Sequence, residues 1–181
     1  MALTSTIHVF NIELADSDRG VYETLELRVA RHPSETEEHL VARLLAYCLA
    51  YTPGIGFSKG LADVSDPAIA VRDLTGALEV WIDIGAPDAA RLHRASKAAR
   101  RVVVYTHKNP ALLLRRWAGE RIHRAETLEL YSFDQALIAD SVARLERRMS
   151  LVVSMAGGHL YVTIGDEALG GAVERHHLPA A

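Results

Sequence analysis

The chain contains a single cysteine, Cys48, among 181 residues, so no disulfide can form within it. One thiol fits a reducing compartment, and its position among apolar residues favours a buried structural role. No apolar run approaches the roughly 20 residues that a membrane span requires. Residues 1–6 (MALTST) lack the basic cluster and apolar core of a signal peptide. These absences predict a soluble, cytoplasmic protein with no membrane partner.

Several catalytic and metal motifs are also missing. The nine histidines are scattered, without a His-x₃-His pair or a Cys pair, which argues against structural zinc. The sequence has no Gly-x-Ser-x-Gly elbow, phosphate-binding glycine loop or dinucleotide fingerprint. It also has no repeat, linker or low-complexity segment. We therefore expect one domain over residues 1–181, with neither a hydrolase triad nor a nucleotide cofactor.

Charge is distributed unevenly along the chain. Residues 91–124 carry ten Lys or Arg and one acid, a net charge of +9, whereas the rest carries ten basic and 22 acidic residues, a net charge of −12. The sequence pI near 6.3 argues against a general polyanion binder. The basic segment 91–124 instead predicts one cationic face, which could bind nucleic acid or an acidic protein, or could be an ordinary solvated helix face.

The first third of the chain predicts a hairpin followed by a helix. Residues 5–14 and 21–30 are rich in strand-forming types around a turn at 16–20, which favours an antiparallel pair with one wet face. Ser34 followed by Glu37 predicts a capping box and a helix to about Tyr51. Glu38 lies at the border of its apolar stripe, where it could face a cleft or be a solvated first-turn acid favoured by the helix dipole.

The stretch 77–106 predicts a strand, a helix and a second strand. Residues 77–84 alternate, with Glu79, Trp81 and Asp83 opposite an apolar face, so their side should meet water, a ligand or a metal. Asp88 is a plausible N-cap for the next helix. Residues 102–106 are apolar on both faces, as in a central strand that follows a right-handed crossover.

The remaining segments complete an α/β (α+β) pattern with a mixed central β-sheet flanked by helices. We predict a short strand at 55–61 and a loop or helical turn at 63–70, followed by a turn at 73–76. The last third predicts helices at 111–121 and 133–147, a strand at 127–131 and a hairpin over 149–164. Trp117 fits a core position or, beside two arginines, a base-stacking site. Residues 170–177, with paired glycines and paired histidines, are expected to be a loose tail.

Two motifs in this order resemble the YaeQ family of bacterial proteins. They are Arg31-His32-Pro33-Ser34-Glu35-Thr36 and, further along, Trp81-Ile82-Asp83-Ile84-Gly85-x-Pro87-Asp88 with Val104-Tyr105-Thr106. The similarity covers essentially the whole chain. It implies a core like that of the PD-(D/E)-x-K restriction-endonuclease-like nucleases, namely a helix, a three-strand meander, a helix and a parallel strand, with additional N- and C-terminal strands.

The resemblance also implies a candidate site. Glu38, Asp73 and Asp83 take the positions of the acids with which such nucleases hold Mg²⁺ or Mn²⁺. A bound divalent ion would polarise a phosphodiester and activate a water. The motif lysine position holds Gly85, so the basic group could come instead from the following helix, where Arg91, Arg94 and Lys97 are available. An arginine can steady a phosphate but cannot serve as a base at neutral pH.

Three functions therefore remain open at this point. The chain could be a metal-dependent nuclease that cuts DNA or RNA phosphodiesters. It could be a noncatalytic nucleic-acid- or protein-binding module with a degenerate nuclease fold, with a role in transcription. It could also be a domain whose basic face meets an acidic protein.

Overall fold

The computed structural model describes residues 4–58 and 64–179, in which the chain has a mixed α+β architecture, as predicted. It divides into two compact units. The first unit comprises the chain up to Tyr51 together with Phe133–Val173. The second comprises Thr52–Ser132 and the chain from Glu174 onward.

Strands outnumber helices in the described residues of both units. The strands are β1 (Thr6–Asp16), β2 (Val21–Arg31), β3 (Ile55–Phe57), β4 (Ile69–Arg72), β5 (Leu78–Ile84), β6 (Arg101–Thr106), β7 (Glu129–Phe133), β8 (Arg148–Ala156), β9 (His159–Ile164) and β10 (Glu167–His176). The helices are α1 (Glu37–Leu49), α2 (Ala89–Ala98), α3 (Pro110–Trp117) and α4 (Gln135–Ala143), with a short 3₁₀ turn at Ala125–Thr127.

In the first unit the strands are ordered β2-β1-β8-β9-β10. The predicted hairpin is confirmed, since β1 and β2 pair antiparallel along their full length, from Thr6↔Arg31 to Asp16↔Val21. β1 also pairs in parallel with β8, whereas β8, β9 and β10 follow one another antiparallel. Leu25, Leu27 and Val29 are buried while their neighbours are exposed, because alternate strand residues point to opposite faces.

Helix α1 begins later than predicted. Its N-cap is Thr36, whose hydroxyl accepts a hydrogen bond from the backbone N–H of His39, so the Ser34 capping box was wrong. Ser34 instead pairs its hydroxyl with Nδ1 of His32 at 2.6 Å. From Leu40 to Leu49 every residue is buried, because the helix is covered well beyond the apolar stripe that the sequence predicts.

A buried charge cluster lies at the start of α1. Glu35 is only 4% exposed, and its carboxylate accepts two hydrogen bonds from Arg43 at 2.8 and 3.0 Å and pairs with His39 at 2.5 Å. Burial alone would raise the pKa of Glu35, but the hydrogen bonds and charges of His39 and Arg43 lower that pKa overall. Paired in this way, the carboxylate stays ionised inside the first unit.

In the second unit the strands are ordered β7-β6-β5-β4-β3. β3, β4 and β5 form an antiparallel meander, whereas β5, β6 and β7 run parallel, so the crossover into a parallel central strand is confirmed. The loop or helical turn predicted at 63–70 is wrong for Ile69 and Ala70, which belong to β4. Positions 59–63, which include part of the strand predicted at 55–61, lie outside the described residues.

Helices α2 and α3 pack on one face of the sheet formed by the strands of the second unit. The shared core contains Trp81, Val102, Val104 and Leu130 from the strands, and Leu92, Ala95, Ala99, Leu113 and Trp117 from the helical segments. Trp117 is 2% exposed and its indole N–H donates to the carbonyl of Pro87 at 2.9 Å, so it fills a core position and does not stack on bases. The same face of the sheet therefore carries both helices as one layer.

Several segments differ from the sequence predictions. α3 ends at Trp117 and α4 at Ala143, both earlier than predicted. The expected loose tail is wrong, since Glu167–His176 form β10. Gly171 explains part of this error. A Cβ there would meet the Asp134 side chain at 2.5 Å, so glycine serves close packing against the start of α4 and does not mark a loop.

Candidate functional site

Asp83 and Arg91 form a charge pair within the second unit. Asp83 lies on β5 and is 2% exposed. Arg91 lies in the first turn of α2, where Asp88 is the N-cap as predicted. Its guanidinium donates from Nε to Oδ2 at 2.7 Å and from Nη2 to Oδ1 at 2.9 Å. Both carboxylate oxygens are thus engaged in a bidentate pair, so Arg91 covers the side of β5 at Asp83, which was expected to meet water, a ligand or a metal.

Arg91 also holds the chain that leads into β4. It donates from Nη1 to the carbonyl of Val64 at 2.9 Å and from Nη2 to that of Asp66 at 2.7 Å. The guanidinium carbon lies 5.3 Å from the ring centroid of Trp81, within cation–π range. The hydrogen bond to Asp83, together with that carboxylate's charge, raises the pKa of Arg91. The guanidinium of Arg91 is therefore committed to contacts within the fold.

Asp73 stabilises the turn before β5 through hydrogen bonds to its side chain. Its Oδ1 accepts from the backbone N–H of Thr75 at 2.8 Å, the hydroxyl of Thr75 at 2.6 Å and the N–H of Ala77 at 3.0 Å. The side-chain bond from Thr75 and the backbone bond from Ala77 lower the pKa of Asp73. The turn predicted at 73–76 is confirmed, and its aspartate acts as a turn-stabilising acceptor.

Glu38 lies in the first unit, in the opening turn of α1, and is exposed. Within residues 4–58 and 64–179, no three His, Cys, Asp or Glu side chains lie together as a metal site would require. Asp83 shares both oxygens with Arg91, and Asp73 uses one oxygen for its own turn. With their oxygens engaged in this way, Asp83 and Asp73 do not fit a Mg²⁺ or Mn²⁺ site, and metal binding stays a prediction from the resemblance.

Gly85 follows β5, at the position where the resemblance to nucleases implies a lysine. Its φ is +88°, in the left-handed region that side chains other than glycine rarely adopt. Its N–H donates to the carbonyl of Tyr105 at 2.9 Å, which joins the end of β5 to β6. The local backbone therefore selects glycine here for conformational reasons.

The outward side of the α2–α3 layer is strongly basic. We call it the basic layer, and it is defined by five exposed residues that have no acidic partner in the described part of the chain: Arg94, Lys97, Arg115, Arg116 and Arg121. Leu92 and Ala95 of α2, and Leu113 and Trp117 of α3, point into the shared core, so the intervening basic residues face solvent. The segment for which a cationic face was predicted is thus exposed at these five basic positions.

Comparisons with known proteins identify the family. The sequence profile described as "YaeQ protein" matches residues 1–172. This chain belongs to the YaeQ family. It is 28% identical to the "Uncharacterized protein YaeQ" of Escherichia coli (strain K12) over 166 residues, covering 90% of this chain and 91% of that protein. The protein of the same name from Salmonella typhi is 28% identical over 165 residues, again with coverage of 90% and 91%.

Solved structures of YaeQ proteins have the same fold. The crystal structure of YaeQ from Pseudomonas syringae matches with a TM-score of 0.85 at 29% identity, covering 94% of this chain and 95% of that one. YaeQ from Xanthomonas axonopodis pv. citri matches with a TM-score of 0.82 at 28% identity, covering 97% and 100%. No helix in the described residues of this YaeQ-family chain has the length and apolar character of a membrane span.

The other arginines of the basic segment have structural partners in this YaeQ-family chain. Arg101 pairs through two hydrogen bonds with Glu129 on the neighbouring strand β7. Arg124 donates from Nη2 to the carbonyls of Ser96 and Ala99 at the end of α2, where the helix dipole favours a cation. Arg91, Arg101 and Arg124 of segment 91–124 thus stabilise the fold, whereas the five residues of the basic layer face solvent.

Two histidines beside the basic layer were missed from the sequence. The backbone N–H of His123 donates to Nδ1 of His93 at 3.1 Å, and the two rings meet edge to face with centroids 6.5 Å apart. Burial, followed by the charges of Lys97, Arg121 and His123, lowers the pKa of His93. The i,i+4 spacing of His93 and Lys97 could have indicated their proximity. Nothing in the sequence brings in His123, thirty residues further along the chain.

Proposed function

We propose that this YaeQ-family protein is a noncatalytic nucleic-acid-binding module whose basic layer contacts phosphates. The observation that supports the proposal is that one arginine is paired with a buried acid, whereas other basic residues are exposed and have no acidic partner among the described residues. Arg91 is engaged with Asp83, whereas the basic layer faces solvent without acidic partners among the described residues. Unpaired cations gathered on one surface attract polyanions and release counterions when phosphates bind.

The engagement of the acids supports binding without turnover. A nuclease needs carboxylates that are free to hold a metal, whereas Asp83 is buried against Arg91 and Asp73 serves its turn. Gly85, with its left-handed backbone, supplies no lysine to activate a water. These groups can stabilise the fold, and they lack the arrangement that metal-assisted hydrolysis requires.

The order of elements in the second unit supports nucleic acid as the partner class. The antiparallel meander β3–β4–β5, followed by α2 and the parallel strand β6, has the order expected for part of a PD-(D/E)-x-K core. On this proposal the chain keeps the nucleic-acid-facing side of such a fold and uses its former catalytic aspartate as a structural group. A role in transcription belongs to the same proposal.

Fluorescence anisotropy with labelled single-stranded and duplex oligonucleotides tests this function. We expect the logarithm of the affinity to fall linearly with the logarithm of salt concentration between about 50 and 200 mM, as counterion release requires. The double variant Arg115→Glu/Arg116→Glu should weaken binding strongly to both oligonucleotides, because it reverses two exposed charges at the end of α3.

The matched control is Arg147→Glu/Arg148→Glu, an adjacent exposed arginine pair in the first unit. It changes the net charge by the same amount and should leave most of the affinity intact. Equal losses in both variants would mean nonspecific charge attraction and would contradict a basic-layer interface. Binding to an acidic polypeptide such as polyglutamate, with none to either oligonucleotide, would assign the layer to a protein partner instead.

A further inference from the structure

Four side chains near the C-terminal half of α2 form what we call the α2 cationic cluster: His93, Lys97, Arg121 and His123. His93 and Lys97 lie one helical turn apart on α2, where side chains at i and i+4 are neighbours. Arg121 and His123 reach them from the segment after α3. The hydrogen bond from the His123 N–H to His93 Nδ1 fixes the two segments together at 3.1 Å.

This hydrogen bond also fixes the tautomer of His93. Because Nδ1 accepts from a backbone N–H, the neutral ring carries its proton on Nε2. A donor on Nε2, in a ring on which the charges of Lys97 and Arg121 act, is a combination that suits a phosphate oxyanion, which accepts several hydrogen bonds at once. The charged groups that act on His93 from α2 and from the segment packed beside it are all basic: Lys97, Arg121 and His123.

We infer that the α2 cationic cluster is a phosphate-binding site. The inference rests on the nucleic-acid-binding function proposed above and names where a backbone phosphate is held. The same chemistry would also accept free inorganic phosphate, and the two sources are separated by the experiment below.

Phosphate binding at this site couples to proton uptake. In the free protein burial, followed by repulsion from the charges of Lys97, Arg121 and His123, lowers the pKa of His93. A bound phosphate dianion or diester cancels that repulsion and favours the protonated ring. Affinity should therefore rise as pH falls, by at most about tenfold per pH unit for one proton taken up.

The test follows the imidazole NMR signals of His93 and His123 while inorganic phosphate is added, and measures oligonucleotide affinity at about pH 6 and pH 8. We expect phosphate to move the His93 signal and raise its titration midpoint. We also expect oligonucleotides to bind more tightly at the lower pH. His93→Gln keeps an acceptor for the His123 N–H but cannot take up a proton, so it should abolish most of the pH dependence while the fold is retained.

His177→Gln is the control, because His177 is an exposed histidine beyond the end of β10. It should leave both readouts unchanged. Lys97→Gln should lower the salt slope of oligonucleotide binding by about 1, the contribution of one phosphate contact.

The outcomes separate the two proposals. If Arg115→Glu/Arg116→Glu weakens binding but His93→Gln and Lys97→Gln change neither the affinity nor its pH and salt dependence, the cluster is not the phosphate site, although the basic layer still binds. If phosphate moves the His93 signal in the absence of any oligonucleotide binding, the site stands and its ligand is a free phosphate. An unmoved His93 signal with pH-independent oligonucleotide binding would overturn the inference.

Discussion

Asp83 and Arg91 face each other across β5 and α2 with both carboxylate oxygens held, at 2.7 and 2.9 Å. The aspartate side chain is 3% exposed and the arginine side chain 22%. Each charge loses hydration on burial, and its interaction with the other charge compensates for that loss. Asp83, which resembles a catalytic acid by its position, is thus held in a structural charge pair with Arg91. This pairing is the reason that we propose binding and not catalysis.

Removal of Arg91 should destabilise the protein markedly. Arg91→Ala leaves Asp83 buried and uncompensated, and it also releases the carbonyls of Val64 and Asp66. We expect the free energy of unfolding to fall by about 3 kcal/mol, the lower end of the range for breaking a buried pair. Urea denaturation followed by circular dichroism measures this change.

Arg94→Ala is the matched control, because Arg94 lies on the same helix and is exposed. Its effect should stay within about 0.5 kcal/mol. The double variant Asp83→Leu/Arg91→Met removes both charges and should be less destabilised than Arg91→Ala. Equal stability of Arg91→Ala and Arg94→Ala would show that the pair contributes nothing to the fold.

The buried Glu35 should make stability sensitive to acid. Its pKa is lowered in the folded protein from an ordinary value of 4.5, so the unfolded chain binds the proton more readily. The stabilisation is therefore complete above about pH 4.5 and is lost as pH falls through the lower folded pKa. Glu35→Gln should be less stable at neutral pH, but should lose less stability than the wild type below pH 4.5, as measured by thermal unfolding across pH.

Glu37→Gln provides the comparison for this experiment, since Glu37 lies in the first turn of α1, two residues from Glu35, and is only half-buried. Its acid profile should parallel that of the wild type. If Glu35→Gln also runs parallel to the wild type below pH 4.5, the network of Glu35, His39 and Arg43 does not hold the carboxylate ionised.

A lysine at position 85, where the resemblance to nucleases implies one, should cost stability without creating a nuclease. Gly85→Lys forces a side chain into a φ of +88°, which costs about 1–2 kcal/mol for a residue other than glycine. Ala86→Lys adds the same charge one residue later, at an exposed position. We expect chemical denaturation to show Gly85→Lys clearly weaker than Ala86→Lys, and identical midpoints would contradict the strain argument.

Divalent ions should bind weakly in the absence of nucleic acid. The acids implied by the resemblance are Glu38, Asp73 and Asp83, and within the described chain they do not group as metal ligands. Isothermal titration with Mn²⁺ should therefore show no saturable heat, and Asp83→Asn should behave like the wild type. A stoichiometric site that Asp83→Asn removes would restore the metal-dependent nuclease hypothesis.

Local patterns predicted much of the secondary structure. Alternation identified the hairpin of β1 and β2, and Asp88 was correctly identified as the cap of α2, because these signals lie within a few residues of one another. Partners distant in sequence were not predictable in this way. β1 pairs with β8 more than a hundred residues later, and β10 forms despite its paired glycines because β9 supplies the neighbouring strand.

The candidate site illustrates the same limit. The sequence and the family resemblance singled out Asp83 and Arg91, but the expected roles were to bind a metal and a phosphate. Their mutual pairing depends on how α2 lies over β5, which no local pattern encodes. Within a single helix the sequence is more informative, since the 3.6-residue period places Leu92 and Ala95 on the buried side of α2 and Arg94 on its exposed side.

The most direct test measures, in one experiment, whether the protein binds an oligonucleotide and whether it shortens that oligonucleotide. A labelled oligonucleotide is incubated with the protein and Mn²⁺, the bound fraction is separated on a native gel, and its length is then read on a denaturing gel. We predict a shifted complex that Arg115→Glu/Arg116→Glu removes, from which the oligonucleotide is recovered at full length. Shortened product that disappears in Asp83→Asn would contradict the account.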